Sequence, residues 1–149
     1  MVEKELVAPP LLSVDSVKVA GIRNAPDVNG NLGFVEGGRD LPFQIARAFF
    51  VYGVHAGDIR GQHAHRRCHQ FLICVHGKVE VTCDDGREKK TFVLDSPLKG
   101  LHIPPSIWAE QRYFSSETML MVLADRLFEE SDYLRDYPAF LSFRDGDGK

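Results

Sequence analysis

Apolar and polar residues alternate most cleanly at residues 78–83, where Val79, Val81 and Cys83 interleave with Lys78, Glu80 and Thr82. A period of two marks a strand with one face buried. Similar stretches recur along the chain. Residues 14–22 alternate roughly, with Val17 and Val19 in phase, and residues 44–54 are aromatic and β-branched (Ile45, Phe49, Phe50, Val51, Tyr52, Val54). Residues 71–75 form a short continuous apolar run, as in a buried strand. Residues 91–94, 101–103, 107–113 and 119–124 are further strand candidates. Turn residues separate them: Asn24 to Asp27, Asn29-Gly30-Asn31, Asp84-Asp85-Gly86-Arg87 and Pro104-Pro105. Residues 32–36 read as the return strand of an N-terminal hairpin. Many short strands at close spacing predict an all-β sandwich or barrel.

Helix is scarce. Residues 131–141 are the one good candidate, with Ser131 or Asp132 as N-cap and an apolar face of Tyr133, Leu134, Tyr137 and Leu141. That helix is expected on the outside of the barrel. Residues 1–13, with Pro9-Pro10, read as an N-terminal arm, residues 14–143 as a single domain and residues 144–149 as a tail.

Composition narrows the function. Of the 149 residues, 18 are basic and 21 acidic, a net charge of -3, which argues against a nucleic-acid binder. Hydrophobic residues make up 44%, too many for disorder. No apolar run approaches the roughly 20 residues that span a bilayer, and the N-terminus does not read as a signal peptide. Cys68, Cys74 and Cys83 are an odd set without scaffold spacing, so free thiols and a cytoplasmic location are expected.

The chemistry concentrates between Gly57 and Gly77. His63 and His65 are two apart, so a strand points both rings to one face, where they suit metal binding or proton transfer. The order Gly57, His63, His65, Gln70, Gly77 has the spacing of the first cupin motif. Pro104-Pro105-Ser106-Ile107-Trp108-Ala109 occupies the place of the second. This resemblance implies a jelly-roll β-barrel with its site inside. A metal-binding cupin takes a Glu where Gln70 stands and a His where Ala109 stands, and neither replacement is a useful transition-metal ligand. His69 would point away from Gln70's face. The expectation is therefore a metal-free site with two proton-transfer groups, which points to acid–base chemistry on a carbonyl compound and away from a metal-dependent oxygenase.

Longer blocks carry a closer resemblance: Arg60-Gly-Gln-His63-Ala-His65, Gln70-Phe-Leu-Ile-Cys, Leu94-Asp-Ser-Pro97, Gly100-Leu-His-Ile-Pro-Pro, Met121-Val-Leu-Ala and the tail Phe128-Glu-Glu-Ser-Asp-Tyr133-Leu-Arg-Asp-Tyr137. Together they resemble the sugar 3,4-ketoisomerase family, over about residues 14–143. The resemblance implies a cofactor-free, metal-independent isomerase. It would convert a dTDP-4-keto-6-deoxyhexose into the 3-keto isomer through an enediol, on the way to deoxyamino sugars of surface polysaccharides. It implies His63 and His65 as the catalytic pair, with His63 as the carbon base. Arg47 and Arg60 would bind the diphosphate, and Gln70, Trp108 and Glu110 the rest of the ligand. It also implies a homodimer that exchanges N-terminal strands. Three positions depart from relatives: Ala109 where a third histidine is common, Phe49 where a tyrosine is, and Asn29 before Gly30. A 3- or 3,5-epimerase of nucleotide-linked keto-sugars and a non-catalytic nucleotide-sugar-binding cupin are the competing readings.

Overall fold

In the computed structural model, which describes residues 11–146, two five-stranded antiparallel sheets enclose an apolar interior. One sheet has the order β1 (Lys18–Gly21), β9 (Lys99–Ile103), β6 (Gln70–His76), β11 (Met119–Ala124), β4 (Arg47–Tyr52). The other runs β12 (Tyr133–Leu134), β5 (Ile59–His65), β10 (Trp108–Tyr113), β7 (Val79–Asp84), β8 (Lys89–Leu94). This is the jelly-roll cupin barrel expected, closed on the outside by one short helix, α1 (Tyr137–Arg144). Strand phase decides what fills it. Val79, Val81 and Cys83 of β7 point inward against Leu72 and Cys74 of β6, Leu101 and Ile103 of β9, and Leu120 and Val122 of β11. Burying each such side chain stabilises the fold by about 1.5–3 kcal/mol.

The alternate residues of the first sheet, Phe71, Ile73 and Leu123, pack outward under Ile22, Leu41 and Phe43. On the second sheet Ala64 and Trp108 pack outward under Leu134 and Phe140.

Three elements differ from the sequence reading. Residues 14–22 are not one strand: Ser13 caps a 3-10 turn at Val14–Ser16, which buries Val14, and β1 starts only at Lys18. The hairpin pairs β2 (Arg23–Asp27) with β3 (Gly30–Phe34) in the register Arg23↔Phe34, so the turn falls at Val28 and Asn29 and not at Asn24–Asp27. The helix begins six residues later than expected. Asp136 is its N-cap, accepting from the Ala139 amide at 3.0 Å, and Pro138 sits in the first turn, where its missing N–H costs nothing. The helix also runs to Arg144, past the expected domain end at 143. Residues 1–10 of the expected arm lie outside the described residues; Leu12 is held by Arg144 Nη1, which donates to its carbonyl at 2.6 Å.

Candidate functional site

The end of β5 carries the two histidines, and a bulge sets their phase. His63 pairs with Ala109, but Arg60 already pairs with Gln111, so Gly61 and Gln62 share one partner position. Gly61 has φ +96° and Gln62 φ +26°. A Cβ on Gly61 would lie 2.9 Å from the Gln111 amide, so the bulge requires glycine by both conformation and space. Downstream of it His63 and His65 face inward and Ala64 outward.

The two rings meet edge to face with centroids 4.9 Å apart. They differ in surroundings. His63 is half-buried and turns Nδ1 to the carbonyl oxygen of Gly61. Burial, and then the adjacent His65, push its pKa down to about 4, so the ring is neutral at pH 7 with Nε2 as its free base. His65 is 5% exposed and its Nδ1 donates to Asp132 Oδ2 at 2.9 Å. Its Nε2 is buried with no hydrogen-bond partner.

Asp132 comes from the short 3-10 turn Glu130–Asp132 that leads into β12. Burial works to raise the pKa of its carboxyl. The hydrogen bonds from His65 and from the Arg67 and Cys68 amides outweigh that and hold it below the ordinary value. Tyr133, next along, is the cross-strand partner of His65 and lies against both rings, with centroids 4.4 Å from His65 and 5.1 Å from His63. Phe128 lies tilted against Tyr133 with centroids 5.5 Å apart, and the Arg47 guanidinium sits 5.7 Å from the Phe128 ring.

Register places the other expected residues. Arg47 pairs with Ala124, and Ala124 with Gln70, so Arg47 and Gln70 share the inner face of the first sheet. Gln70 is 6% exposed, and its Nε2 and the Nε of Arg47 lack partners. Arg60 pairs with Gln111 on the inner side of the second sheet and is exposed. It lies near Tyr113, whose pKa burial raises and whose hydroxyl has no partner. Five of the seven expected residues therefore lie along the inner surface.

Trp108 and Glu110 do not. Ala109 points inward, so its neighbours point out. Trp108 packs on Tyr137 and Phe140 of α1, and its Nε1 donates to Glu110 Oε1 at 3.3 Å. Their expected place at the ligand is corrected: they anchor the helix. His69 also lies outside, stacked on His102 (centroids 5.2 Å apart) next to Phe43.

Asp132, Tyr133 and Phe128 are not among the site residues expected from the sequence, although they belong to its tail block. The one usable signal there is that block, whose polar start before an apolar stretch resembles a helix N-terminus.

Among the described residues, His65, Cys68 and Asp132 bring metal-ligating atoms within 4.8 Å of one another. They do not fit a transition metal. Both Asp132 oxygens already accept hydrogen bonds, and burial pushes the Cys68 thiol up to about 12, far from the thiolate a metal takes. Gln70 and Ala109 at the usual ligand positions point the same way.

Comparison with known proteins identifies the family. The profile of the family described as "FdtA: WxcM-like, C-terminal" matches residues 15–145. The TDP-4-oxo-6-deoxy-alpha-D-glucose-3,4-oxoisomerase of Aneurinibacillus thermoaerophilus is 36% identical over 126 residues, covering 85% of this chain and 91% of that protein. A 3,4-ketoisomerase structure from Helicobacter canadensis superposes with a TM-score of 0.85 at 35% identity, over 87% of this chain and 98% of that one. The sugar 3,4-ketoisomerase QdtA from Thermoanaerobacterium thermosaccharolyticum, solved in complex with TDP, gives 0.86 at 32%, over 89% and 97%.

Proposed function

The chain belongs to the FdtA, WxcM-like C-terminal family, and we propose that it is a sugar 3,4-ketoisomerase acting on a TDP-linked 4-keto-6-deoxyhexose. The observation that carries the reading is a pair of adjoining inward histidines, each with Nδ1 engaged and Nε2 left as base.

The reaction moves a carbonyl from C4 to C3 with no net oxidation. Nε2 of neutral His63 takes the proton from C3, and the electron pair of that C–H bond forms the C3–C4 double bond of an enediol. The C4 oxygen gains a proton and the C3 hydroxyl gives one up, a transfer that suits His65. His63 then returns its proton to C4, and the carbonyl stands at C3. One base serves both steps when C3 and C4 face it from the same side. Arg47 and Arg60 supply cationic forks for the diphosphate, and the buried amide of Gln70 has an unused donor for a sugar oxygen. A keto group at C3 is what amination to a 3-amino sugar requires.

We also propose that two copies associate by exchanging the N-terminal hairpin. Among the described residues β2 and β3 pair only with each other, and their residues are nearly all exposed. A lone two-stranded hairpin is marginal in water and gains from joining a sheet edge. The three buried free thiols are in keeping with a cytoplasmic site of action.

Incubation with dTDP-4-keto-6-deoxyglucose in deuterated water, followed by NMR, tests the activity. A 3-keto sugar is expected. Deuterium at C3 or C5 with the 4-keto group retained would mean an epimerase, and a bound but unchanged sugar a binding protein.

A further inference from the structure

We infer that Asp132 is the positioning residue of His65: it fixes the tautomer of that ring and backs the positive charge the ring takes on during turnover. The inference rests on the ketoisomerase reading and assigns a role to a residue that sequence motifs leave without one. The two imidazoles are two positions apart and look equivalent in sequence. Their partners are not. His63 Nδ1 meets a neutral backbone carbonyl. His65 Nδ1 meets a carboxylate that is itself fixed in place: Oδ1 accepts from the Arg67 amide at 2.7 Å, and Oδ2 accepts from His65 at 2.9 Å and from the Cys68 amide at 3.3 Å. The backbone is fixed as well, since the Asp132 carbonyl accepts from the Arg66 amide at 2.8 Å. The segment 66–68 that follows β5 is thus tied to Asp132 by three amides.

An ionised carboxylate only accepts, so Asp132 requires the proton of neutral His65 to sit on Nδ1. That leaves a lone pair on Nε2, the atom that is buried and unpartnered. When Nε2 takes the proton of the C3 hydroxyl, the imidazolium lies beside a carboxylate shielded from water, at 5% and 6% exposure for the two residues. Nothing comparable balances a charge on His63, and its neighbour would repel it. The two rings therefore divide the work. His63, a cation only while it holds the proton on its way from C3 to C4, handles the carbon-bound proton, and the ring backed by Asp132 handles the oxygen-bound protons.

The test joins a spectrum to kinetics. In ¹⁵N NMR of the wild-type protein, with His65 assigned by loss of its signals in His65→Gln, a protonated Nδ1 and a bare Nε2 are expected. A proton on Nε2 would overturn the inference, with or without activity on the sugar, so failure here is separate from failure of the ketoisomerase reading. Asp132→Asn is expected to lower kcat at least tenfold, with KM for the TDP-sugar changed less than about twofold, because an amide can donate to Nδ1 and invert the tautomer. Asp132→Glu, which keeps the charge, should recover part of the loss. A folded Asp132→Asn protein with kcat within twofold of wild type would overturn the role. If that variant fails to fold, the wild-type tautomer decides.

Discussion

His63 sits between a carbonyl that holds its Nδ1 and a second imidazole that repels any charge it gains. Two outcomes follow at the level of this one side chain. His63→Asn should reduce turnover by about 10²–10⁴-fold, the usual contribution of one positioned acid–base group, while TDP binding measured by calorimetry survives. His65→Asn should be impaired less, because oxygen-bound protons also travel through water. His69→Asn, on the outer face beside His102, should leave turnover near wild type. The second outcome concerns stability. An unfolded chain protonates this ring near pH 6.5, whereas the folded protein does so only near pH 4. Between those values the unfolded state binds more protons, so stability falls as pH falls, by on the order of 3 kcal/mol from this residue. Urea midpoints at pH 7 and pH 4.5 should therefore lie well apart in the wild-type protein and closer together in His63→Asn.

At the scale of elements, the bulge in β5 and the cap of α1 separate catalysis from support. Gly61→Ala places a Cβ against Gln111 at a positive φ, a strain of about 1–3 kcal/mol, and swings the two histidines out of phase. Turnover should fall more than the drop in Tm accounts for. Asp136→Ala removes the N-cap of α1 and should cost about 1 kcal/mol in thermal unfolding while leaving turnover unchanged, because the helix packs on Trp108 and Ala64, across the sheet from the histidines. The contrast also shows what local sequence reveals. Strand phase was legible wherever one face is buried, as at Val79, Val81 and Cys83, and the same rule put both histidines on one face. Trp108 and Glu110 were misplaced because their nearness to a motif outweighed their phase, although Ala109 between them points inward. Asp132 was read as a helix cap because short polar residues before an apolar stretch often cap. Its side chain instead serves a histidine 67 residues away, and pairing at that separation leaves no local pattern.

For the whole molecule, the exposed apolar surface is uneven. Phe50 and Tyr52 on β4, Met119 on β11 and Leu32 and Val28 on the hairpin are open to solvent, and β4 is a sheet edge. Sedimentation at micromolar concentration should give about twice the 16.7 kDa chain mass, and deletion of residues 23–34 should shift it to the monomer. A monomeric intact chain would refute the exchange. The distance between His65 and Asp132 along the chain has a different consequence, one in time. At 5–20 residues per second, the histidine leaves the ribosome roughly 3–13 s before its carboxylate. A nascent chain stalled between them, at about residue 127, has already made nine strands, β1 and β4–β11, besides the hairpin, and with them both histidines. It can close its barrel and yet hold no finished site. Synthesis itself thus delays the onset of proton transfer until the last stretch has docked.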